Sequence, residues 1–165
     1  MYPVILFIAA ILVALVRIII KHPASKREIA GIFLLYMIFF NIGLGGLYAF
    51  MGHAFMPAMV AREIGWPIGS PFQFEIAIAN LSYGMLGMLS IWIRGKFWIA
   101  VVTGNLAFLW GAAYGHIVQM EKRDMSPYNT GIFLYAGDIV IPLVILLLLL
   151  YYFRLLKYET PVSAP

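Results

Sequence analysis

Apolar residues run in five blocks separated by short polar, Pro- or Gly-containing stretches: roughly Val4 to Ile20, Ile29 to Met51, Phe72 to Ile93, Phe97 to Val118 and Gly131 to Phe153. Each block is long enough to cross about 30 Å of hydrocarbon as a helix. The pattern predicts an all-α integral membrane protein, a bundle of five transmembrane helices forming one membrane-embedded domain over residues 1–165. Between the second and third blocks, Met56, Met59, Val60 and Ile64 recur at helical spacing after Pro57 and before Gly65. That spacing predicts a short amphipathic turn lying at the outer surface, anchored by Trp66.

Local chemistry marks the boundaries. Ser25 followed by Glu28 has the capping-box spacing, in which the Ser oxygen accepts the N3 amide and the Glu reaches back to the cap amide. Ser70, Pro71 and Gln73 repeat the pattern before the third block, and Ser126 with Pro127 before the fifth. The first block lacks a basic residue ahead of its apolar core and a clear small-x-small cleavage site, so it is expected to remain as a helix.

Composition sharpens this picture. The chain is 64% hydrophobic and 11% charged, far below the roughly one-quarter charged residues of soluble domains. With no cysteine, disulfides, thiolate metal sites and CxxC redox chemistry are excluded. The net charge of +4 comes with no interleaved basic-aromatic patch, so nucleic acid is not an expected partner, and the lipid bilayer is. Arg17, Lys21, Lys26, Arg27, Arg94, Lys96, Arg154 and Lys157 fall on one side of a five-helix arrangement, and Arg62, Lys122 and Arg123 on the other. The positive-inside rule then predicts an inner membrane location, the amino terminus outside and the carboxyl terminus in the cytoplasm.

The run IGWPIGSPFQFE (Ile64 to Glu75), with GHAFMP before it and ANLSYG after it, resembles the signature of a family of small uncharacterised multi-helix prokaryotic membrane proteins. The likeness continues through GAAYGH (Gly111 to His116) and from Asn129 to Pro142. It implies the membrane class and carries no activity, cofactor or catalytic residue with it.

The candidate chemistry is concentrated toward one leaflet. On the expected topology His53, Glu75, His116 and Asp138 all sit in the outer half, with Glu63, Gln73 and Asn129 close in chain order. A charge placed inside a span costs on the order of 3 kcal/mol, so Glu75 and Asp138 are expected to face the bundle and to converge with the two imidazoles. Helical spacing puts Asn41, Gly45, Tyr48 and Gly52 on one stripe, Asn105, Ala112, His116 and Gln119 on another, and Gly131, Tyr135, Asp138 and Pro142 on a third. Pro142 has no amide to give the Asp138 carbonyl. Asn41, Asn80 and Asn105 are read both as interhelical hydrogen-bond residues and, for Asn80 and Asn105, as pocket residues. Gly104, Gly111 and Gly115 are expected to form a close packing face, Arg62 and Glu63 a solvated pair, and Trp92 and Trp98 part of an interfacial aromatic belt.

A weak internal repeat also appears: Asn41 and Asn105, the Gly-His steps ending at His53 and His116, the Ser-Pro steps, and the early acids Glu75 and Asp138 recur in order. It suggests a parallel repeat of helix pairs. The function expected from these residues is binding or transport of a cation or a proton-coupled small solute in an outward-facing His/Glu/Asp pocket, in a protomer small enough to call for homo-oligomerisation. Two other classes share the same residues. One is a metal-dependent membrane enzyme holding a divalent metal through His53, His116, Glu75 and Asp138, and the other is a non-catalytic accessory subunit.

Overall fold

The computed structural model describes residues 1–159, and side chains through residue 156. It is all-helical, with no strand among the described residues. Helix α1 is Tyr2–Lys21, α2 is Lys26–Phe55, α3 is Pro57–Ile64, α4 is Phe72–Leu89, α5 is Lys96–Glu121 and α6 is Pro127–Thr130. The last helix, α7, begins with the π-helical segment Phe133–Val140 and continues as Ile141–Glu159. A second π-helical segment, Ile38–Leu44, lies inside α2.

Four helices, α1, α2, α5 and α7, are long and apolar enough to cross a membrane. Helix α4 is shorter, 18 residues, and more polar in its first half, where Gln73, Glu75 and Asn80 fall. It stops at Leu89, before the Ile93 expected from the apolar pattern. The rows of exposed large apolar side chains on α1 and α7, such as Ile5, Leu12 and Ile19 on α1 and Leu147 and Leu150 on α7, suit contact with lipid tails and mark a multi-pass membrane protein.

The buried core joins those four helices. Ala10 of α1, Leu34, Met37, Ile38 and Ile42 of α2, Trp98, Val101 and Val102 of α5, and Ile141, Ile145 and Leu149 of α7 form one cluster. Trp98 is therefore no belt residue: it is 2% exposed, and its indole Nε1 donates to the Ser90 carbonyl at 3.0 Å. Trp92 remains at the surface, 72% exposed.

Helix α4 is fastened to α2 through backbone contact. A Cβ on Gly46 would stand 2.7 Å from both the Asn80 carbonyl oxygen and the Gly84 nitrogen. One on Gly87 would run into the Gly43 backbone. Small residues let helices approach this closely, which in lipid replaces the missing hydrophobic drive with dense van der Waals contact. The glycines expected to pack in this way, Gly111 and Gly115, do not: no atom comes within 4 Å of a Cβ built on either. Gly104 faces the Tyr83 ring.

The caps are partly as expected. Ser25 Oγ accepts the Glu28 amide at 3.2 Å, but the Glu28 carboxylate takes the Ala24 amide, one residue earlier than a standard box. Neither Ser70 nor Ser126 caps a helix through its side chain. Gln73 is instead buried and donates Nε2 to the Pro57 carbonyl at 2.8 Å, tying α4 to α3.

The amphipathic turn exists as α3, with Val60, Ala61 and Ile64 buried and Met56 and Met59 exposed. It ends in a Schellman motif. Gly65, at φ 85°, donates to Arg62 O, and Trp66 donates to Ala61 O. The two π-helical segments do not correspond between the helix pairs, one lying in the first helix of its pair and the other in the second helix of its pair.

Candidate functional site

A cavity of about 460 Å³ opens among α1, α2, α4, α5 and α7, with α3 and α6 at its mouth. Its size is that of a small-molecule site, roughly 300–1,000 Å³. It lies at the end of the bundle that holds the start of α1, the second half of α2 and the start of α7. The other end carries Lys21, Arg27 and Arg94 around a smaller pocket.

The π-helical segments decide which side chains enter. An α-helical ladder rotates positions four apart by about 40°, so the even stripe predicted on α2 was Asn41, Gly45, Tyr48 and Gly52. The i→i+5 turns of Ile38–Leu44 hold an extra residue and offset that drift. The α2 residues that line the cavity are Asn41, Gly45, Ala49 and His53, each four apart, with Gly46 beside them. Tyr48 turns outward and packs against Tyr2, the rings tilted by 40° with centroids 4.3 Å apart.

The same happens in α7. Asp138 and Pro142 line the cavity as expected, whereas Gly131 does not and Tyr135 is 53% exposed, its place taken by Phe133 and Gly137. A π-helical run directly before Pro142 also accommodates the amide that proline lacks. On α5, a regular helix, the predicted stripe holds: Asn105, Ala112, His116 and Gln119 all line the cavity.

His53, His116, Asp138, Asn80 and Asn105 therefore share one cavity, and Glu75 does not join them. Glu75 is exposed in the first turn of α4. There the helix dipole favours an acid and the carboxylate stands at the helix end, so the cost of a charge at the bilayer centre does not apply to it. Arg62 and Glu63 are both exposed, as a solvated pair would be. Among the described residues no group of three or more His, Cys, Asp or Glu side chains is placed to hold a metal ion. The four-ligand divalent site therefore loses its geometric basis, because its carboxylate from α4 points elsewhere.

The centre of the site is a pair. His116 Nε2 lies 3.8 Å from Asp138 Oδ2, with the two side chains 13% and 18% exposed. That is too long for a hydrogen bond and short enough for an ion pair. No hydrogen bond to the Asp138 carboxylate occurs among the described residues.

His116 is oriented from behind by Asn129, a fully buried residue whose Oδ1 lies 2.7 Å from His116 Nδ1. Asn129 Nδ2 donates to the Asp124 carbonyl at 3.2 Å. A carbonyl only accepts, so this bond fixes the carboxamide and makes His116 Nδ1 the protonated nitrogen. The Nε2 lone pair then faces Asp138. A proton or another cation placed between them would meet a lone pair on one side and a carboxylate on the other.

The loop under Asn129 is itself braced. Ser126 donates to Asp124 Oδ1 through its amide at 3.1 Å and through its hydroxyl. These bonds hold the Asp124 carboxyl below its ordinary value. Gly65 abuts the same Asp124 and Ser126 side chains, so only a residue without Cβ fits there and α3 is keyed to the loop that orients His116.

Aromatic rings frame the mouth. Tyr128 and Phe133 stack at 4.0 Å, and Trp66 lies 6.0 Å from the His53 ring. Burial pushes the Tyr128 hydroxyl up to about 12, so it keeps its proton at neutral pH. Trp66 is brought here by the Schellman turn rather than serving only as a surface anchor. Sequence reasoning missed Tyr2, Trp66 and Tyr128 as site residues and placed Asn129 only by chain proximity. The Gly65-Trp66 step after an amphipathic turn was the available signal for Trp66.

A family profile matches residues 1–157, nearly the whole chain. The chain belongs to DUF6790, a family of unknown function. No curated protein and no solved structure matches this DUF6790 member. The resemblance carried by Ile64 to Glu75 thus falls within a matched family; of that segment Ile64 and Trp66 line the cavity, and buried Gln73 ties α4 to α3.

Proposed function

We propose that this DUF6790 protein binds, and in an assembled state transports, a small cation or proton-coupled solute in the cavity between α1, α2, α5 and α7. One observation carries the reading. The Asp138 carboxylate stands in the cavity with no hydrogen bond among the described residues and with His116 Nε2 across a 3.8 Å gap. A carboxylate held so is costly unless a proton or a cation compensates it. The titratable groups that line the same cavity are Tyr2, His53, His116, Tyr128 and Asp138, and exchange of a cation for a proton centres on Asp138 and the imidazole beside it.

The proposed arrangement adds α4 as a fifth crossing. At about 1.5 Å per residue its 18 residues reach roughly 27 Å, close to the hydrocarbon thickness. With five crossings Arg94 and Lys96 join Lys21, Lys26 and Arg27 in the cytoplasm, and the cavity opens outward in the cell membrane. Lys157 belongs to the same group by sequence, its side chain lying outside the described ones. A protomer of this size suits transport only as a homo-oligomer.

Calorimetric titration tests the reading. Purified protein is titrated with sodium, potassium, ammonium and ethylammonium chlorides in two buffers of different ionisation enthalpy, which counts the protons exchanged. At least one cation binds wild type with proton release, and Asp138→Asn removes that release. Binding of none of them, or binding that leaves Asp138→Asn unchanged, overturns the reading.

A further inference from the structure

The lone pairs left over along the cavity wall point to one class of occupant. Asn41 Nδ2 donates to the Met37 carbonyl at 3.2 Å and Asn80 Nδ2 to the Ile76 carbonyl at 2.9 Å. Because a backbone carbonyl cannot donate, each carboxamide has spent an N–H on its own helix and has its Oδ1 left to offer. For Asn41 that oxygen is buried without any partner. His116 Nδ1–H is taken by Asn129, leaving the Nε2 lone pair, and an ionised Asp138 only accepts. Acceptors from α2, α4, α5 and α7 thus line one cavity.

The rest of the lining agrees. No Lys or Arg reaches the cavity, so a carboxylate or phosphate would meet Asp138 with no permanent positive charge to neutralise it. Trp66 is the one side chain that only donates. The hydroxyls of Tyr2 and Tyr128, the amides of Asn105 and Gln119 and the His53 imidazole can each accept as well. His53 Nδ1 is also buried without a partner.

An inorganic ion would satisfy the acceptors and leave most of about 460 Å³ of largely apolar space unfilled. That space exists because Gly111 and Gly115 place no side chain in it and pack against nothing. Leu6, Ile76, Leu109 and Ile145 form apolar wall, and the stacked Tyr128 and Phe133 rings present faces of the kind that attract cations.

We infer that the cavity takes a protonated organic amine, its ammonium donating to the His116–Asp138 pair, with the Asn oxygens as further acceptors along the wall, and its apolar body lying against α5 where Gly111 and Gly115 leave room. This rests on the cation-binding reading above and narrows it to one chemical class. An ammonium group brings three N–H donors and a positive charge, the complement of what these side chains have left to give.

The test uses hexylammonium chloride, with hexanol as the uncharged tail, sodium hexanoate as the oppositely charged one and potassium chloride as the bare cation. Each is titrated calorimetrically into wild type, Asp138→Asn and Gly111→Leu in the same detergent. Hexylammonium binds wild type saturably, and hexanol and hexanoate bind at least about tenfold more weakly, the loss of one charged hydrogen bond. Asp138→Asn weakens hexylammonium by a similar factor. Gly111→Leu, which fills the space and touches no polar group, removes binding while potassium or proton-linked binding persists.

Hexanol binding as tightly as hexylammonium, or hexylammonium binding equally to all three proteins as micelle partitioning would give, overturns the inference. Potassium or sodium binding with no response to hexylammonium overturns it while the cation-binding reading stands. Binding of no cation overturns both.

Discussion

Asn129 Oδ1 lies 2.7 Å from His116 Nδ1 while its own amide nitrogen is committed to the Asp124 carbonyl. The buried carboxamide therefore dictates which imidazole nitrogen holds the proton and leaves the other facing Asp138 across 3.8 Å. The positioning is done by a residue that does not line the cavity at all.

Nitrogen-15 chemical shifts of the His116 ring in wild type, at a pH where it is neutral, are expected to show the Nδ1–H tautomer. Asn129→Leu strands a buried N–H and costs about 1–3 kcal/mol of stability, unless the ring changes tautomer. The variant then shows Nε2–H, now turned toward Asp138. Finding Nε2–H in wild type would remove the lone pair that faces Asp138.

The glycines divide into two groups with opposite expected effects. Gly46→Ala and Gly87→Ala force α2 and α4 apart, because the new methyl meets backbone, and each is expected to cost on the order of 1–3 kcal/mol. Gly111→Ala meets nothing and gains up to about 1 kcal/mol of helix propensity. Thermal unfolding of the three variants in one detergent checks this. Equal destabilisation by all three would show that Gly111 packs after all.

The Asp124 carboxyl lies below its ordinary 3.8 because Ser126 donates to it through hydroxyl and amide. A lowered folded-state value means the unfolded chain takes up the proton first as pH falls. Its contribution is thus complete above the unfolded carboxylate value of about 4 and is lost as pH drops through the depressed value. Comparing melting temperatures of wild type and Asp124→Asn from pH 7 to pH 2, the gap between them should be constant above about pH 5 and close below about pH 4. A gap that widens on acidification contradicts the assignment. Being open to solvent, the effect should also shrink in high salt.

The proposed crossing by α4 puts Lys96 with Ser25 and opposite Glu63. Single Cys substitutions at the three positions, labelled with an impermeant maleimide in intact and in permeabilised cells, separate the cases. Glu63→Cys reacts in intact cells, and Ser25→Cys and Lys96→Cys only after permeabilisation. Labelling of Lys96→Cys together with Glu63→Cys would mean that α4 does not cross.

The features that the sequence determined by itself are those set by neighbours along the chain. Apolar blocks long enough to span lipid located α1, α2, α5 and α7. The Ser25 cap needed four residues, the Gly65 turn needed six, and the α5 stripe from Asn105 to Gln119 needed only an unbroken 3.6-residue period. The π-helical segments lay beyond such reasoning. An extra residue in one turn looks like any other residue in a sequence, yet it rotates everything after it, which put Ala49 and His53 in the cavity and Tyr48 outside. Tertiary structure also decided what identical residue types do. Gly46 and Gly111 are indistinguishable by composition, but one meets the α4 backbone and the other borders empty space. Glu75 and Asp138 are both acids early in a helix, but only the one packed opposite α5 finds His116. Which helix lies against which is a property of the assembled bundle, and periodicity along one helix does not contain it.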